Sequence, residues 1–300
     1  MNKKIPFYRY PYLFKLYGKN IIKIINKVAS AGKYIMQDEL KNFEKNFAKF
    51  TGANYCVGVS NATDGLQMLL MAAGLRKGDE VLVSMHTMIA TASAIHFAGA
   101  KPVLLDIREE DYLIDEKKIK EKITSKTKAI IITQLNGRVA NMSKIIEISK
   151  KYKLKIFEDS AQGLGAFYKN KHAGTFGYGG CFSFYPAKIL GCLGDGGAVI
   201  TNNRNIYKKL LALRDHGRSG DDIKVWGFNA RLDNIEAATL DYLLTKVPNF
   251  IKIRRNIAKI YHQELKNVKQ ISMPPLPKEN SDNYDACLLY TSDAADEEDS

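Results

Sequence analysis

Apolar positions along the chain fall into two alternating rhythms. Short apolar runs have the length and β-branched content of strands: VLVSM (Val81–Met85), KPVLLDI (Lys101–Ile107), KAIIITQL (Lys128–Leu135) and KLKIFED (Lys153–Asp159). KAIIITQL is nearly unbroken, as a strand covered on both faces should be. Between these runs lie stretches with helical spacing. They are Ile89–Ala100, DEKKIKEKI with Ile119 and Ile123 four apart, and Met142–Tyr152 with Met142, Ile145, Ile146 and Ser149 on one face. CFSFYP (from Cys181) and GAVITN (from Gly197) predict two more strands. This alternation predicts an α/β fold with a mostly parallel central sheet covered by helices. From Asn205 onward the pattern is mainly helical, and Pro274, Pro275 and Pro277 mark a turn or linker toward a second, smaller unit.

A sheet of this kind binds ligands at the carboxyl ends of its strands. Three polar residues fall there: Asp159 closing one strand, Ser183 near the end of another, and Lys188 just beyond it. A lysine at the end of a buried strand is costly unless its charge is used or removed. Asp159 has a plainer alternative, as the cap of a following helix. A second candidate is SNATDGLQMLLMAAG (Ser60–Gly74), where small polar residues precede a helix pattern through Leu66, Leu69, Leu70 and Ala73. Asn61 or Thr63 suits a helix cap there, and the free N–H groups of such a start also suit an anion. The glycines of LGDGG do not complete G-x-G-x-x-G, because Val199 stands at the third glycine position. A G-x-x-x-x-G-K-[ST] phosphate loop is absent, so dinucleotide and P-loop chemistry lack their signatures.

Composition narrows the class further. The net charge is +13, but the lysines are scattered in pairs such as Lys117-Lys118 and Lys150-Lys151, without a long basic run. That pattern fits a compositional bias better than a polyanion surface, and no nucleic-acid partner is expected. The longest apolar run is strand-sized, and MNKKIPFYRYPY has no apolar core or cleavage site. A cytoplasmic protein without membrane attachment is expected. Cys56, Cys181, Cys192 and Cys287 match no zinc or redox spacing, so neither a metal nor a structural disulfide is expected. The last stretch, CLLYTSDAADEEDS (Cys287–Ser300), carries five acids and no base. Its first part reads as a translated sequencing adapter, and it is expected to lie outside the native fold.

Taken together, the stretches YIMQDELKNFEKNFAKFTG, VGVSNATDGLQMLL, GDEVLVSMHTMIATASAI, AGAKPVLLDI, TKAIIITQLNGRVANM, FEDSAQGLGA, GTFGYGGCFSFYPAKILGCLGDGGAVITN, LRDHGR and GFNARLDNIEAA resemble, in order and spacing, the DegT/DnrJ/EryC1/StrS sugar aminotransferases. The resemblance runs from about Gly32 to about Ala286. It implies the fold-type-I aminotransferase scaffold and pyridoxal 5'-phosphate (PLP) as cofactor. It further implies an amino transfer, with glutamate as donor, to a nucleotide-linked keto-sugar for polysaccharide or glycoconjugate biosynthesis. The implied domain division is 1–248 for an N-terminal segment and the large PLP-binding domain, 249–286 for the start of a truncated small domain, and 287–300 for the adapter-derived tail.

By resemblance, Lys188 is the catalytic residue and bonds covalently to the cofactor aldehyde. An amine must be neutral to attack a carbonyl, and partial burial favours the neutral form. Asp159 matches the carboxylate that pairs with the ring nitrogen. Gln162 matches a residue near the ring and, three residues on, is expected to share a helical face with Asp159. Ser183, Thr63 and the backbone at Asp64 match phosphate contacts. Asn229 matches a residue that reaches the phosphate from the neighbouring subunit, which implies a homodimer with shared sites. Met88 stands where the family often stacks an aromatic on the ring; a thioether packs on a ring face too. Ala62 replaces a common glycine, and Asn136 replaces a frequent aromatic. Family members that dehydrate their sugar can have histidine at the Lys188 position, so Lys188 argues against a dehydratase. A non-catalytic regulator on the same fold is the alternative of a different class, separable by testing turnover.

Overall fold

A computed structural model describes residues 8–277 and 281–284 and the backbone of 290–291. In chain order the first elements are α1 (Tyr10–Ser30), α2 (Asp38–Thr51), β1 (Tyr55–Val59), α3 (Ala62–Ala72), β2 (Glu80–Ser84), α4 (Ile89–Phe97), β3 (Lys101–Leu105) and β4 (Thr127–Thr133). Then follow α5 (Met142–Tyr152), β5 (Lys155–Asp159), β6 (Phe167–Tyr168), β7 (Lys171–His172), β8 (Gly179–Ser183), β9 (Gly197–Thr201) and α6 (Arg204–Arg214). The remainder comprises β10 (Arg218–Ser219), β11 (Asp222–Ile223), α7 (Asn234–Leu244), α8 (Val247–Leu265), β12 (Ile271–Ser272) and β13 (Tyr290–Thr291).

Seven strands form one sheet in the order β1-β9-β8-β5-β4-β2-β3. Only β9 among them runs against its neighbours, and the β8-β5-β4-β2-β3 ladder is parallel throughout. The carboxyl ends of the other six therefore share one edge. Strand alternation fills both faces. Val57, Val59, Val81, Val83, Ile131, Phe157 and Val199 meet α3, α4 and α6 residues on one side. On the other side Phe182, Ala198 and Ile200 meet α2 and α7, while Leu82, Ile130, Ile132 and Ile156 meet α5. A buried ion pair ties the first layer to the sheet: Arg214 contacts Glu44 and donates to the Gly58 carbonyl (3.0 Å), and Gly58 N–H donates to Glu44 (2.8 Å).

The expected elements match these spans except in two places. The Asp115–Ile123 stretch is not an α-helix; one 3-10 turn forms at Ile119–Lys122. A single turn already buries Ile119 and packs Ile123 against the same cluster, and the lysines around them add no apolar face to extend a helix. Second, no helix follows Asp159; residues 160–166 form turns, so Gln162 does not share a helical face with it. Downstream, the expected boundary at 248/249 falls in the first turn of α8. Tyr290–Thr291 pairs with Ile271–Ser272, and the rest of 287–300 lies outside the described residues, as does Cys287. Cys56, Cys181 and Cys192 are free and buried. Among the described residues no helix is long and apolar enough to cross a membrane, and no group of His, Cys, Asp or Glu could hold a metal ion.

The turns after Asp159 are fastened by His172. Its Nε2 accepts from Gly165 N–H (2.8 Å) and its Nδ1 lies 2.6 Å from the Ala173 carbonyl, which fixes the proton on Nδ1. The rings of Phe50, Phe167 and Phe182 surround it. Burial pushes its pKa down to about 4, with the Ala173 contact opposing. A depressed pKa means that the unfolded chain takes up the proton first. Stability is therefore intact above the ordinary value of 6.5 and is lost as pH falls from there toward 4. The loss across that window is on the order of 3 kcal/mol. Thermal midpoints measured from pH 7 to pH 4 should fall less steeply in a His172→Gln variant than in the wild type; parallel curves would contradict the assignment.

Candidate active site

The carboxyl edge of the sheet gathers the predicted residues through strand register. Thr133, Asp159 and Cys181 lie side by side across β4, β5 and β8, and Ser183 pairs with Gly197 at the start of β9. The first turn of α3 sits against this row. Gly65 and Gly197 make the approach possible: a Cβ on Gly65 would stand 2.6 Å from Cys181 Sγ, and one on Gly197 would stand 2.7 Å from the Asn61 carbonyl carbon. Cys181 Sγ bonds the Ala62 carbonyl at 3.3 Å. Burial, then Asp159, pushes the Cys181 thiol well above its ordinary pKa, so it is a neutral filler between acid and helix.

Asp159 is 6% exposed. Thr91 Oγ1 donates to its Oδ2 at 2.6 Å, and Ala161 N–H donates to its Oδ1 at 3.1 Å. The Ala161 bond is the capping-type contact foreseen as the plain alternative, but it closes a turn and not a helix. Burial raises the Asp159 pKa; the Thr91 and Ala161 hydrogen bonds and the positive charge of Lys188 oppose it. That coupling places the amine and the carboxylate in one electrostatic neighbourhood. Lys188 is half-buried on the turn after β8, where its N–H donates to the Tyr185 carbonyl (2.8 Å). Ser183 is half-buried and accepts from Tyr185 N–H at 3.3 Å.

At the start of α3, Asn61 is the N-cap, and its Oδ1 accepts the Asp64 N–H (2.9 Å). The backbone group of Asp64 expected at a phosphate thus already has a partner. The Asp64 carboxylate is turned toward Ser60 Oγ (2.7 Å) and Asn61 Nδ2 (2.8 Å). Thr63, half-buried, belongs to the first turn, where N–H groups lack intrahelical acceptors.

Other predicted residues stand apart from this row. Gln162 Oε1 accepts the Asn136 N–H (2.5 Å), so its amide braces the neighbouring QLNG turn, where Asn136 has φ 55°. Met88, the N-cap of α4, is 71% exposed. Asn229 is exposed and bridges to Asp215 between α6 and α7. Sequence reasoning missed Thr91, Thr87 and Thr133, which line up behind Asp159. The available signals were the four-residue spacing of Thr87 and Thr91 and a threonine closing the apolar run IIIT.

The residues fit PLP. An acid held in the interior suits a protonated ring nitrogen, an amine beside it suits an aldehyde, and a helix start brought in by two glycines suits a phosphate. The sequence matches the DegT/DnrJ/EryC1/StrS aminotransferase family over residues 16–299, and the chain belongs to that family. It is 42% identical over 264 residues to dTDP-3-amino-3,6-dideoxy-alpha-D-galactopyranose transaminase of Aneurinibacillus thermoaerophilus, covering 88% of this chain and 73% of that protein. It is 39% identical over 246 residues to UDP-2-acetamido-2-deoxy-3-oxo-D-glucuronate aminotransferase of Pseudomonas aeruginosa, covering 81% and 68%. The crystal structure of DesV from S. venezuelae, solved with a reaction intermediate, superposes with a TM-score of 0.94 at 31% identity, covering 98% of this chain and 80% of that one. The scaffold is the fold-type-I aminotransferase fold, and the cofactor of the family is PLP, interconverting with its amine form PMP.

Because burial raises the Asp159 pKa, the unfolded chain ionises first, so the cofactor-free protein loses stability as pH rises from the ordinary carboxylate value to the folded-state value and stays reduced above it. Asp159→Asn should therefore melt higher than wild type at pH 8 without cofactor, with the gap closing at pH values below the ordinary carboxylate range. Differential scanning calorimetry of both proteins at the two pH values checks this, and a lower melting point for the variant at pH 8 would contradict it.

Proposed function

We propose that this chain transfers an amino group from glutamate to a keto group of a nucleotide-linked sugar, at the sugar's C3. The observation that carries the reading is the placement of the buried Asp159 at the end of β5 beside β8, whose following turn carries Lys188. The printed names of both relatives above support a nucleotide-linked substrate and the C3 position, one through a 3-amino product and the other through a 3-oxo substrate. Lys188 itself favours transfer over dehydration.

When bound, PLP supplies an aldehyde that carries the amino group and a ring that withdraws electrons. Lys188 would hold the aldehyde end, Asp159 the ring nitrogen, and Thr63 and Ser183 the phosphate. With PLP bound, Lys188 Nζ would serve as the base that takes the proton from the donor's α-carbon, and as the acid that delivers one to the sugar carbon. Asp159, as an anion, keeps the proton on the ring nitrogen in both halves. Gln162 and Met88 flank the ring in this reading.

The proposal includes a cytoplasmic homodimer serving polysaccharide or glycoconjugate synthesis, with Asn229 reaching the neighbouring subunit's phosphate. Trp226 (94% exposed) and Ile223 (70% exposed), on the same segment as Asn229, support a covered face there.

Incubating the protein with PLP, 15N-glutamate and a panel of nucleotide-linked keto-sugars should yield an aminated sugar heavier by the label. Borohydride reduction followed by peptide mapping should mark Lys188. Lys188→Ala should lower turnover by on the order of 10³-fold. A reduced cofactor on another lysine, or no labelled sugar from any 3-keto substrate, would overturn the reading.

A further inference from the structure

We infer that Thr133, Thr87 and Thr91 form a directional chain of hydroxyls whose protons all point toward Asp159, and that this chain holds Asp159 as an anion. The inference rests on the PLP reading for its purpose, since the anion is what keeps a ring nitrogen protonated. Its geometry stands independently. Thr133 Oγ1 donates to Thr87 Oγ1 at 3.0 Å, Thr87 and Thr91 hydroxyls lie 2.7 Å apart, and Thr91 Oγ1 donates to Asp159 Oδ2 at 2.6 Å.

Proton counting sets the direction. A threonine hydroxyl carries one proton and two acceptor sites, whereas an ionised carboxylate only accepts. Thr91 gives its single proton to Asp159, so it must accept from Thr87. Thr87 has then spent its own proton and accepts from Thr133. If Asp159 were protonated toward Thr91, every link could reverse. With Asp159 as an anion, every hydroxyl proton of the chain finds an acceptor at the spacing seen, and aligned hydroxyls strengthen one another in a low dielectric.

The placement of Thr91 argues against a generic helix threonine. Deeper in a helix such residues commonly return their proton to the carbonyl four residues earlier, an acceptor that the first-turn Thr91 lacks. Thr51 does so to Phe47 (3.0 Å) and Thr239 to Ile235 (2.9 Å). Thr91, fully buried near the start of α4, sends its proton across to β5 instead. The chain draws on three further places, β4, the β2–α4 turn and α4, so it depends on the assembled sheet edge. Lys188 and Cys181 are the titratable groups coupled to Asp159 from the β8 side, while β4 and α4 face it with hydroxyls. The three threonines are positioning residues in this scheme and touch no reacting atom.

The test uses Thr91→Val, which keeps the shape and removes the donor, with Thr91→Ser as the conservative variant and Thr133→Val at the far end. In cofactor-free protein carrying 13C-carboxyl aspartate, the Asp159 resonance is assigned by its loss in Asp159→Asn and titrated by NMR. Thr91→Val should move that titration upward by about one pH unit. Thr133→Val should move it in the same direction by less, and Thr91→Ser should restore the wild-type curve. With PLP added, Thr91→Val should weaken cofactor binding by about tenfold, the equivalent of one charge-assisted hydrogen bond. An Asp159 titration unchanged in both valine variants would overturn the inference. So would a Thr91→Ser variant as shifted as Thr91→Val, which would assign the effect to packing. If Thr91→Val does not fold, the sign of the Thr133→Val shift decides. Failure of the PLP reading is a separate observation, the absence of a reduced cofactor on wild-type Lys188, because the titration is read without cofactor.

Discussion

A carboxylate carried into the interior at the end of a parallel strand is the constraint around which this structure is arranged. Alone, such a charge would be neutralised by its surroundings. Here a hydroxyl, a backbone N–H and a nearby amine offset the burial of Asp159. Each arrives by a different route: α4 brings Thr91, the turn after β5 brings Ala161, and the turn after β8 brings Lys188. Register does the rest, since Thr133, Asp159 and Cys181 are direct neighbours across three parallel strands. A slip of one residue in β5 would send Asp159 to the opposite face.

The same edge is polarised from end to end. Asp159 supplies negative charge, the α3 start supplies the positive end of a helix dipole, and Lys188 adds a positive charge. Close packing brings the helix start to the edge, because Gly65 and Gly197 leave no room for a side chain between α3 and the sheet. A ligand with a cationic ring nitrogen at one end and a phosphate at the other meets complementary charge at both. The neutral Cys181 thiol between acid and helix adds no competing charge.

Much of this was legible in the chain because strand runs and helical spacing are local. The apolar run Lys128–Leu135 and the run ending at Asp159 forecast two strands whose carboxyl ends lie at the ligand edge, although the first strand ends at Thr133. The Ile119–Lys122 turn was misread because a four-residue spacing of two isoleucines does not say how long the segment is: one turn suffices to bury Ile119 and pack Ile123 on the same cluster. Gln162 was misplaced on a helix because the turns after Asp159 are held by His172 at Gly165 and by Gln162's own bond to the Asn136 N–H, contacts that span turns and elements. The threonine chain escaped notice for the same reason: its members come from three elements, and hydroxyls leave no periodic trace. Asn61 was named as a possible cap, but that it would occupy the Asp64 N–H required the fold.

The two adjacent acids of FEDS show how one strand divides support from chemistry. Alternation turns Glu158 and Asp159 to opposite faces of β5. Glu158, fully buried, accepts from Gln134 Nε2 (2.7 Å), Gly174 N–H (2.7 Å) and Phe176 N–H (2.6 Å), which stitches the loop after β7 to the sheet. Burial raises its pKa as it does that of Asp159, so the titration alone would not tell the two apart. Acceptor capacity does. A carboxylate offers about four lone-pair sites. Glu158 fills three of them with groups of its own fold, and Asp159 fills one on each oxygen. The acid that retains capacity is the one facing Lys188, and it is also the one with a small residual opening to solvent. A buried charge left partly unsatisfied is costly unless something else completes it, and in the proposed function the protonated ring nitrogen of PLP is the group that would do so.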